Sequence, residues 1–544
     1  MSLNFVYAKS LSKLRGTNFK AFILIFLITF SIFVFTSDGH RYTFDEGLAQ
    51  DQSIRIATLE PHPDYVQGES RIFFEYTWLY PPYQNERPIC ENAILCSQAS
   101  VIHSTTEALF LTINENFHII TNETIEITPY EFNDPAYAFW RNSINPSFTF
   151  MELLYGPFFS ALSVAVLFLV SRTYTYSLKT SIIISFLFAF TTIIWAYSQT
   201  SLNSVPVAFF LLSGFFFYRK FQKTNSHFNL ILTGIFFGVA FLTRNDMILI
   251  IAPFFIFLLI TSFWKNIKLK TYFSFVKTFF AFVIPVTSSY GIRKIIEYVR
   301  VGGDNVETTV ISTLPETLLR EASSSSYPYF LQLFGVLFSP GAGLFIYSPI
   351  LFASFVGFFD FYKKNKSDCI LFLSFVGIFA TFFASGDNWH GFNGWGSRYM
   401  LPVIPFLMIP IAASIEKRMH FSFKIPVIFL GITGFLINLV YLLQDVSYFV
   451  WGLFGSDERG LYSLARQADG GVFELWINPV IIWTFEFSQI AQSTMMLLAK
   501  PQLDLLLLRI FGIELFLASL VAIIIILFYM LVKVSRNYII KQKL

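Results

Sequence analysis

Apolar runs of about 16–22 residues, each bounded by polar residues, recur along the whole chain. An α-helix needs about 20 apolar residues to cross a bilayer, so each run predicts a membrane-spanning helix. The predicted spans are residues 21–36, 152–171, 181–199, 204–218, 229–243, 247–263, 272–290, 344–360, 369–385, 400–415, 425–443 and 512–532. The pattern therefore predicts an all-α polytopic membrane protein with about twelve transmembrane helices.

Basic residues lie in every second connection between these spans. They are Lys9, Lys13, Arg15 and Lys20, then Arg172 and Lys179, then Arg219, Lys220 and Lys223, then Lys265, Lys268, Lys270 and Lys277, then Lys363, Lys364 and Lys366, then Lys417, Arg418 and Lys424, and finally Lys533, Arg536, Lys541 and Lys543. Loops rich in Lys and Arg face the cytoplasm. Both termini, residues 1–20 and 533–544, are therefore predicted to be cytoplasmic, and the first span is predicted to be an uncleaved signal anchor.

The predicted outer face carries the long loops. Residues 37–151 contain sixteen Asp and Glu, five Arg and no Lys. Two further outer loops, 291–343 and 444–511, are also long, whereas the inner connections within 152–443 are short. Loops held by a rigid scaffold commonly carry function, so we expect the chemistry on the outer side.

Composition agrees with this class of protein. The chain has 544 residues, of which 54% are hydrophobic and 13% charged, and 69 are Phe. A soluble domain is roughly a quarter charged. These values exclude a soluble enzyme, a disordered chain, a disulfide scaffold and a nucleic-acid binder. The net charge of +3 does not indicate a partner.

The first outer loop has its own local patterns. Ala108–Thr128 alternates apolar and polar residues with Asn-rich breaks, which predicts a small β-meander among short helices. Asn122 begins a glycosylation sequon on the predicted outer side. Cys90 and Cys96 lie in an oxidising compartment and predict a disulfide, because no further Cys or close His completes a metal site. Cys369, on the cytoplasmic side, is predicted to be a free thiol.

Asp45 and Glu46 follow the first span by only a few residues. Carboxylates at the membrane surface can serve as a general base for a lipid-borne substrate. The same pair also fits a structural role, because Thr43 and Glu46 have the spacing of a capping box and acids stabilise a helix N-terminus. Both interpretations stay open at this point.

A loop rich in Gly and Trp precedes the tenth span. Gly386–Gly396 contains four glycines, which let backbone approach a ligand closely. Trp389 and Trp395 offer flat faces suited to sugar rings, and Arg398 can bind a phosphate. The alternative is an interfacial aromatic belt with a snorkelling Arg.

Arg244 lies in a very short outer turn, against the trend of the basic residues. A cation at this membrane edge suggests an anionic lipid phosphate as its partner. The alternative is pairing with Asp246 or with lipid headgroups. The glycine-rich turn 339–343 is consistent with a tight re-entry into the eighth span.

Other catalytic signatures are missing from the sequence. It contains no Walker loop, His-Glu-x-x-His motif, nucleophile elbow or dinucleotide fingerprint. Asp45, Glu46, Asp387 and His390 could supply ligands for a divalent metal if they converge, but nothing in their spacing supports one. No cofactor is therefore predicted.

Four stretches in order resemble the GT-C superfamily of integral-membrane glycosyltransferases. They are similar to the branch of protein O-mannosyltransferases and lipid A aminoarabinose transferases, which is glycosyltransferase family 39-like. The stretches are the Asp45-Glu46 pair, Gly238-Val239-Ala240-Phe241-Leu242-Thr243-Arg244, residues 337–349 and Trp395-Gly396-Ser397-Arg398-Tyr399-Met400-Leu401-Pro402. Residues 62–135 look like an insertion, and 444–511 match nothing in the family.

The resemblance implies a GT-C-like fold and a function. Members transfer a sugar, with inversion, from a polyprenyl-phosphate or dolichyl-phosphate donor to a protein, lipid or glycan acceptor on the outer face. It implies that Asp45 is the general base with Glu46 as its motif neighbour, and that Arg244 and Arg398 bind the donor phosphate. Trp389, His390 and Trp395 are candidates for contact with the sugar or the acceptor.

Two other functions stay open from the sequence. The first is a lipid-linked-sugar flippase or other transporter, which would place charges deep within its spans, whereas here nearly all lie at span ends. The second is a non-catalytic glycan-assembly subunit that docks through the long outer loops. The resemblance to prokaryotic members favours the plasma membrane over the endoplasmic reticulum.

Overall fold

Helices make up all the regular secondary structure in the part of the chain that the computed structural model describes. The described residues are 2–39, 44–60, 100–121, 146–269, 272–301, 328–386, 389–391, 394–417, 421–444, 482–499 and 503–543. The first nine helices are α1 (Ser2–Phe35), α2 (Phe44–Thr58), α3 (Val101–Phe117), α4 (Pro146–Thr173), α5 (Leu178–Thr191), α6 (Ile194–Tyr197), α7 (Ser204–Thr224), α8 (His227–Thr243) and α9 (Ile248–Leu269). The others are α10 (Tyr272–Val301), α11 (Tyr329–Phe338), α12 (Leu344–Tyr347), α13 (Ala353–Tyr362), α14 (Lys366–Phe383), α15 (Ile404–Lys417), α16 (Phe421–Leu443), α17 (Gln489–Ala499) and α18 (Leu506–Lys543).

Every predicted span coincides with helical residues, although two spans are interrupted. Thr192 adopts an extended conformation between α5 and α6. The 3-10 turn Pro349–Phe352 separates α12 from α13, because Pro349 has no N–H to continue a helix. Within the described residues, eight helices are long and apolar enough to cross a membrane. The all-α polytopic fold is confirmed, and the number twelve stays a prediction.

The predicted β-meander is wrong for residues 108–117, because they belong to α3. Ser100 caps this helix by accepting a hydrogen bond from the His103 N–H. Ser104, Ala108 and Leu111 are buried on one face, and a spacing of three or four residues is helical. That face packs on the protein, so burial overrides the short alternation of polarity. The rest of the predicted meander, 122–128, lies outside the described residues.

Two helical segments form the centre of the bundle. Most of α4 is buried, as is the stretch Arg398–Lys417, whereas few residues of the spans in α10 and α18 are buried. Aromatic rings fill much of the core, for example the edge-on pairs of Phe215 with Phe372 and Phe406. Such contacts add to the burial of apolar area. The central helices therefore give the outer loops a rigid base.

Several hydrogen bonds join loops or helix ends that the sequence predicts to lie on the same face of the membrane. On the outer side, the Ser100 hydroxyl donates to the Leu242 carbonyl over 2.7 Å. On the inner side, the Tyr174 hydroxyl donates to Asp368 over 2.7 Å. Further pairs of this kind are Gly341 with Ile482 outside, and Ser177 with Glu416 and Asp360 with Lys417 inside. These hydrogen bonds are consistent with the predicted order of loops, and the orientation of the two faces stays a prediction.

The crossing of α13 and α15 gives a test of this packing. A Cβ added at Gly357 would lie 2.6 Å from the carbonyl carbon of Pro410 on α15. We therefore expect Gly357→Ala to lower the free energy of unfolding by about 1–3 kcal/mol, because it overpacks two helices in contact. The measurement is a thermal melt of the purified protein in detergent.

Gly377→Ala on α14 is the matched control, because no atom lies within 4 Å of the added Cβ. This change should leave the melting temperature unaltered or raise it slightly, since Ala favours helix over Gly by about 1 kcal/mol. Equal melting temperatures for the two variants would contradict the close approach of α13 and α15.

Candidate active site

The Asp45-Glu46 pair lies in the first turn of α2. The side chain of Glu46 is fully buried, and its Oε1 accepts a hydrogen bond from the Ser201 N–H at 3.1 Å. Glu46 thus binds a distant turn that follows α6. The side chain of Asp45 and the whole of Thr43 lie outside the described residues, so the proposed capping box and the role of Asp45 stay predictions.

The backbone that leads from α1 to this motif is held from two sides. The Trp195 indole N–H donates to the Thr36 hydroxyl at 3.1 Å. From the start of α18, the Leu506 N–H donates to the Ser37 carbonyl at 3.0 Å, and Arg509 donates to the Asp38 carbonyl at 2.7 Å. The exit of α1 is therefore fixed just before the acidic motif begins.

Arg244 and Arg398, far apart in the sequence, meet at one aromatic ring. Their guanidinium carbons lie 5.9 Å and 4.9 Å from the centre of the Tyr399 ring. The Arg398 Nη2 also donates to the Tyr399 hydroxyl at 3.1 Å. Phe383 stacks on the same ring, with centres 4.6 Å apart and planes 7° from parallel. Cations are attracted to aromatic faces, so Tyr399 holds both side chains in one cluster.

Arg244 has a second partner. Its Nε donates to Asp246 Oδ1 at 3.0 Å, and its Nη2 contacts Asp246 Oδ2. The pairing with Asp246 considered in the sequence analysis is therefore confirmed. The same guanidinium also contacts Tyr399, so Asp246 helps to orient Arg244 towards that ring. We call Arg244, Arg398 and Tyr399 the arginine cluster.

The hydroxyl of Tyr197, the last residue of α6, lies beside the loop that carries Arg398. A Cβ added at Gly394 would lie 2.6 Å from this hydroxyl and 2.9 Å from Arg398 Cδ. Gly394 therefore lets the loop approach both side chains. The sequence predicted that this glycine-rich backbone approaches a ligand closely. In the structure, Gly394 approaches side chains of the protein itself.

The two Trp residues of this loop are packed inside the protein. Trp389 is 1% exposed and lies with its ring centre 6.4 Å from that of Trp483. Trp395 is fully buried, between Tyr347 at 5.0 Å and Tyr441 at 4.8 Å. Both rings anchor the loop on neighbouring segments, and their contact with a sugar stays a prediction.

His390 lies beside Trp389 and is almost completely buried. Burial and, to a smaller extent, the positive charge of Arg398 together lower the pKa of His390 to about 3. The ring is therefore neutral at physiological pH. A neutral imidazole can donate one hydrogen bond and accept one, as a hydroxyl-rich ligand requires.

A second polar network holds α2 against α3 and α4. Glu107 accepts a hydrogen bond from the Ser53 hydroxyl and lies 3.1 Å from His103 Nε2. The other ring nitrogen of His103 lies 2.8 Å from the Tyr155 hydroxyl, which also contacts Thr106. This network is buried, so it ties the three helices together beneath the acidic motif.

Sequence reasoning missed several residues of this region. Glu152 and Ser201 join the surroundings of Glu46, and Tyr399 joins the two arginines. The sequence did contain a signal for Glu152, because it is a carboxylate at the edge of an apolar span. Nothing in the sequence distinguished Ser201 or Tyr399 from the many other Ser and Tyr residues of the chain.

The remaining predicted residues fall into two groups. Cys369 is a buried free thiol, as predicted, whereas Cys90 and Cys96 lie outside the described residues. Among residues 2–39 and the other described ranges, no three His, Cys, Asp or Glu side chains are grouped as a metal site. Asp387 lies outside these ranges, so the metal set named from the sequence stays untested.

Comparison with known proteins bears on residues 153–290, which match the model of the dolichyl-phosphate-mannose-protein mannosyltransferase family. The match includes Arg244 and the stretch 238–244, so over these residues the resemblance to protein O-mannosyltransferases is confirmed. The crystal structure of ArnT from Cupriavidus metallidurans in the apo state is similar to the chain, with 11% identity and a TM-score of 0.41. That similarity covers 90% of this chain and 76% of ArnT. No curated protein matches the chain.

The lowered pKa of His390 gives a test of this site. The ordinary value is about 6.5, so between pH 3 and 6.5 the unfolded chain binds more protons than the folded one. The stability contributed by neutral His390 is present above pH 6.5 and is lost as the pH falls towards 3. As the pH is lowered, we expect the free energy of unfolding to fall less steeply in His390→Gln than in the wild type. The two slopes should differ by at most about 1.4 kcal/mol per pH unit.

The measurement is a series of thermal melts between pH 4.5 and 7.5. His118→Gln is the control, because His118 is exposed at the end of α3. Parallel curves for the wild type and His390→Gln would show that His390 is not held neutral.

Proposed function

We propose that the chain is a membrane glycosyltransferase of the GT-C type. It transfers a sugar from a polyprenyl-phosphate or dolichyl-phosphate donor to an acceptor on the extracytoplasmic face. The observation that carries the proposal is the meeting of Arg244 and Arg398 at Tyr399. The family match to residues 153–290 supports the class of enzyme.

The arginine cluster binds the donor phosphate in this proposal. Guanidinium groups match phosphate oxygens through paired N–H donors, and they stabilise the charge that grows on the departing phosphate. Arg244 is oriented by Asp246 and Arg398 by the Tyr399 hydroxyl. Both cations are thus positioned before the donor arrives, which lowers the entropic cost of binding.

Asp45 is the general base. The acceptor oxygen forms a bond to the anomeric carbon while its proton passes to the Asp45 carboxylate. The bond between that carbon and the phosphate oxygen breaks, and its electron pair leaves with the prenyl phosphate. Attack from the face opposite the phosphate inverts the anomeric centre. Glu46 fixes the start of α2 through Ser201, so the motif has one reacting acid and one anchoring acid.

The loop 389–398 borders the sugar. His390 is neutral and can exchange hydrogen bonds with sugar hydroxyls. Trp389 and Trp395 hold this loop in place, since both are enclosed by other aromatic rings. No role for a metal is proposed. The acceptor is a protein, lipid or glycan. The charge pattern favours cytoplasmic termini, and the resemblance to prokaryotic members favours the plasma membrane.

Asp45→Asn tests the catalytic assignment. The change keeps the size of the side chain and removes the proton acceptor, which typically costs about a hundred- to ten-thousand-fold in rate. Asp45 lies inside the first turn of α2, where loss of an acidic charge costs about 0.3–1 kcal/mol, so the melting temperature should change little. The measurement is release of polyprenyl phosphate from labelled polyprenyl-phosphate mannose, with a membrane extract as the source of acceptors.

Two changes on the same helix serve as controls for Asp45→Asn. Asp51→Asn removes another acid of α2 and should leave the rate unchanged. Glu46→Gln keeps a buried acceptor for the Ser201 N–H and should affect the melting temperature more than the rate. An Asp45→Asn enzyme that melts normally and keeps more than about a tenth of the rate rules out the catalytic assignment. The absence of transfer by the wild type would favour a transporter or an assembly subunit.

Arg398→Gln tests the phosphate site. Loss of a charge-assisted contact of about 1.5–3 kcal/mol predicts donor binding weaker by about ten- to hundred-fold. The measurement is calorimetric titration with a short-chain polyprenyl phosphate.

Arg219→Gln is the matched control, because Arg219 also lies on an aromatic ring, 4.1 Å from the centre of Tyr174, but at the opposite face. It should lower the melting temperature by breaking the pair with Asp368 and leave the donor affinity unaltered. An equal loss of affinity in both variants would contradict the proposed phosphate site.

A further inference from the structure

Glu152 is a carboxylate at the edge of the membrane core for which the proposed chemistry has no use. It lies in the second turn of α4, the most buried of the early spans, and is 1% exposed. A buried acid costs free energy unless hydrogen bonds offset it. An apolar residue of similar size would fill the same volume without this cost. The contacts of Glu152 therefore indicate what it does.

One oxygen of Glu152 joins two segments. Its Oε1 accepts a hydrogen bond from the Ser201 hydroxyl at 2.8 Å and another from the Gln50 side-chain amide on α2. Ser201 in turn donates its backbone N–H to Glu46 at 3.1 Å. These bonds form a closed junction between α2, α4 and the turn that contains Ser201. We call Glu46, Gln50, Glu152 and Ser201 the α2 junction.

Backbone packing holds the turn in the same place. A Cβ added at Gly156, one helical turn after Glu152, would lie 2.4 Å from the carbonyl oxygens of both Ser198 and Thr200. Only a glycine lets this turn rest directly on α4. The Ser201 hydroxyl therefore binds Glu152 from a fixed position, and the Ser201 N–H holds Glu46 in a fixed position in turn.

The surroundings of Glu152 disfavour its charged form. Burial acts most strongly, and the negative charges of Glu46, Glu107 and Asp38 act in the same direction, whereas the hydrogen bond from Ser201 acts in the opposite one. Within the described part of the chain, Glu152 Oε2 has no hydrogen-bond partner. Glu152 therefore makes its contacts to Ser201 and Gln50 through one acceptor oxygen, Oε1. These two hydrogen bonds do not require the side chain to be charged.

We propose that Glu152 is a positioning residue of the transferase. Through Gln50 and Ser201 it sets the place of the first turn of α2, which carries Asp45, relative to Tyr197 and the arginine cluster. This inference rests on the proposed function, since it assigns the α2 junction to that reaction. A displacement of about 1 Å of a reacting group can reduce a rate by about a hundred-fold.

The test compares Glu152→Ala with Glu152→Gln. The Gln variant keeps the acceptor oxygen, and its NH2 group takes the place of Oε2 beside carboxylates. We expect kcat with labelled polyprenyl-phosphate mannose to fall by about ten- to hundred-fold in Glu152→Ala, with KM for this donor unchanged. Glu152→Gln should keep kcat within about three-fold of the wild type.

Ser201→Ala and Ser160→Ala provide the matched pair. Both remove one hydroxyl from a fully buried Ser, but only Ser201 contacts Glu152. Ser201→Ala should lower kcat in the same direction as Glu152→Ala, and the two changes together should be less than additive. Ser160→Ala, two turns along α4, should leave kcat unchanged.

Three kinetic results would overturn the proposal. They are an unchanged kcat in Glu152→Ala, a Glu152→Gln enzyme as slow as Glu152→Ala, and a loss confined to KM. The second result would assign a proton-transfer or charge role to Glu152. If Glu152→Ala does not fold, Ser201→Ala decides the outcome by the same kinetic criterion.

Hydrogen–deuterium exchange separates this inference from the proposed function. Backbone amides of Phe44–Thr58 should exchange faster in Glu152→Ala and in Ser201→Ala than in Ser160→Ala, whether or not the protein transfers mannose. Absence of transfer by the wild type together with faster exchange would refute the function and keep the role of the α2 junction. Normal transfer with unaltered exchange and kcat would refute the inference alone.

Discussion

The buried hydrogen bonds of the α2 junction are the constraint on which the rest of the site depends. An isolated α2 of fifteen residues would be only marginally stable in water, and it lies between segments that the structure does not describe. Its position comes from side-chain contacts to α4, to the turn after α6 and to α3. Because α4 is one of the most buried segments of the bundle, the start of α2 is held against its interior.

Hydropathy and charge predicted the parts of the fold that depend on the bilayer. Each apolar run is helical, because a backbone in lipid must satisfy its hydrogen bonds internally. The separation of loop contacts into two faces follows the Lys and Arg pattern. The same reasoning was wrong for residues 108–117, where alternation over a few residues resembled a strand. What decided that segment was packing of Ser104, Ala108 and Leu111 against the bundle, which no local pattern reports.

The site was predictable as residue types but not as an arrangement. Arg244 was notable because it broke the charge trend, yet only the fold brings it to the ring that Arg398 also contacts. Trp389 and Trp395 suggested open faces for a ligand, whereas both are enclosed by other aromatic rings. In a chain with 69 Phe, an aromatic residue is most often a packing partner, so composition alone could not separate the two uses.

The contact between the exit of α1 and the start of α18 has a consequence for the order of assembly. A ribosome makes the chain from the N-terminus, so residues 37 and 38 enter the membrane long before Leu506 and Arg509 exist. The bonds from those two residues to the backbone of Ser37 and Asp38 can form only after the last span has been synthesised. A nascent chain thus carries its acidic motif early but lacks the support that fixes it. Completion of the final helix is then the event that finishes the site, and incomplete chains lack this anchor.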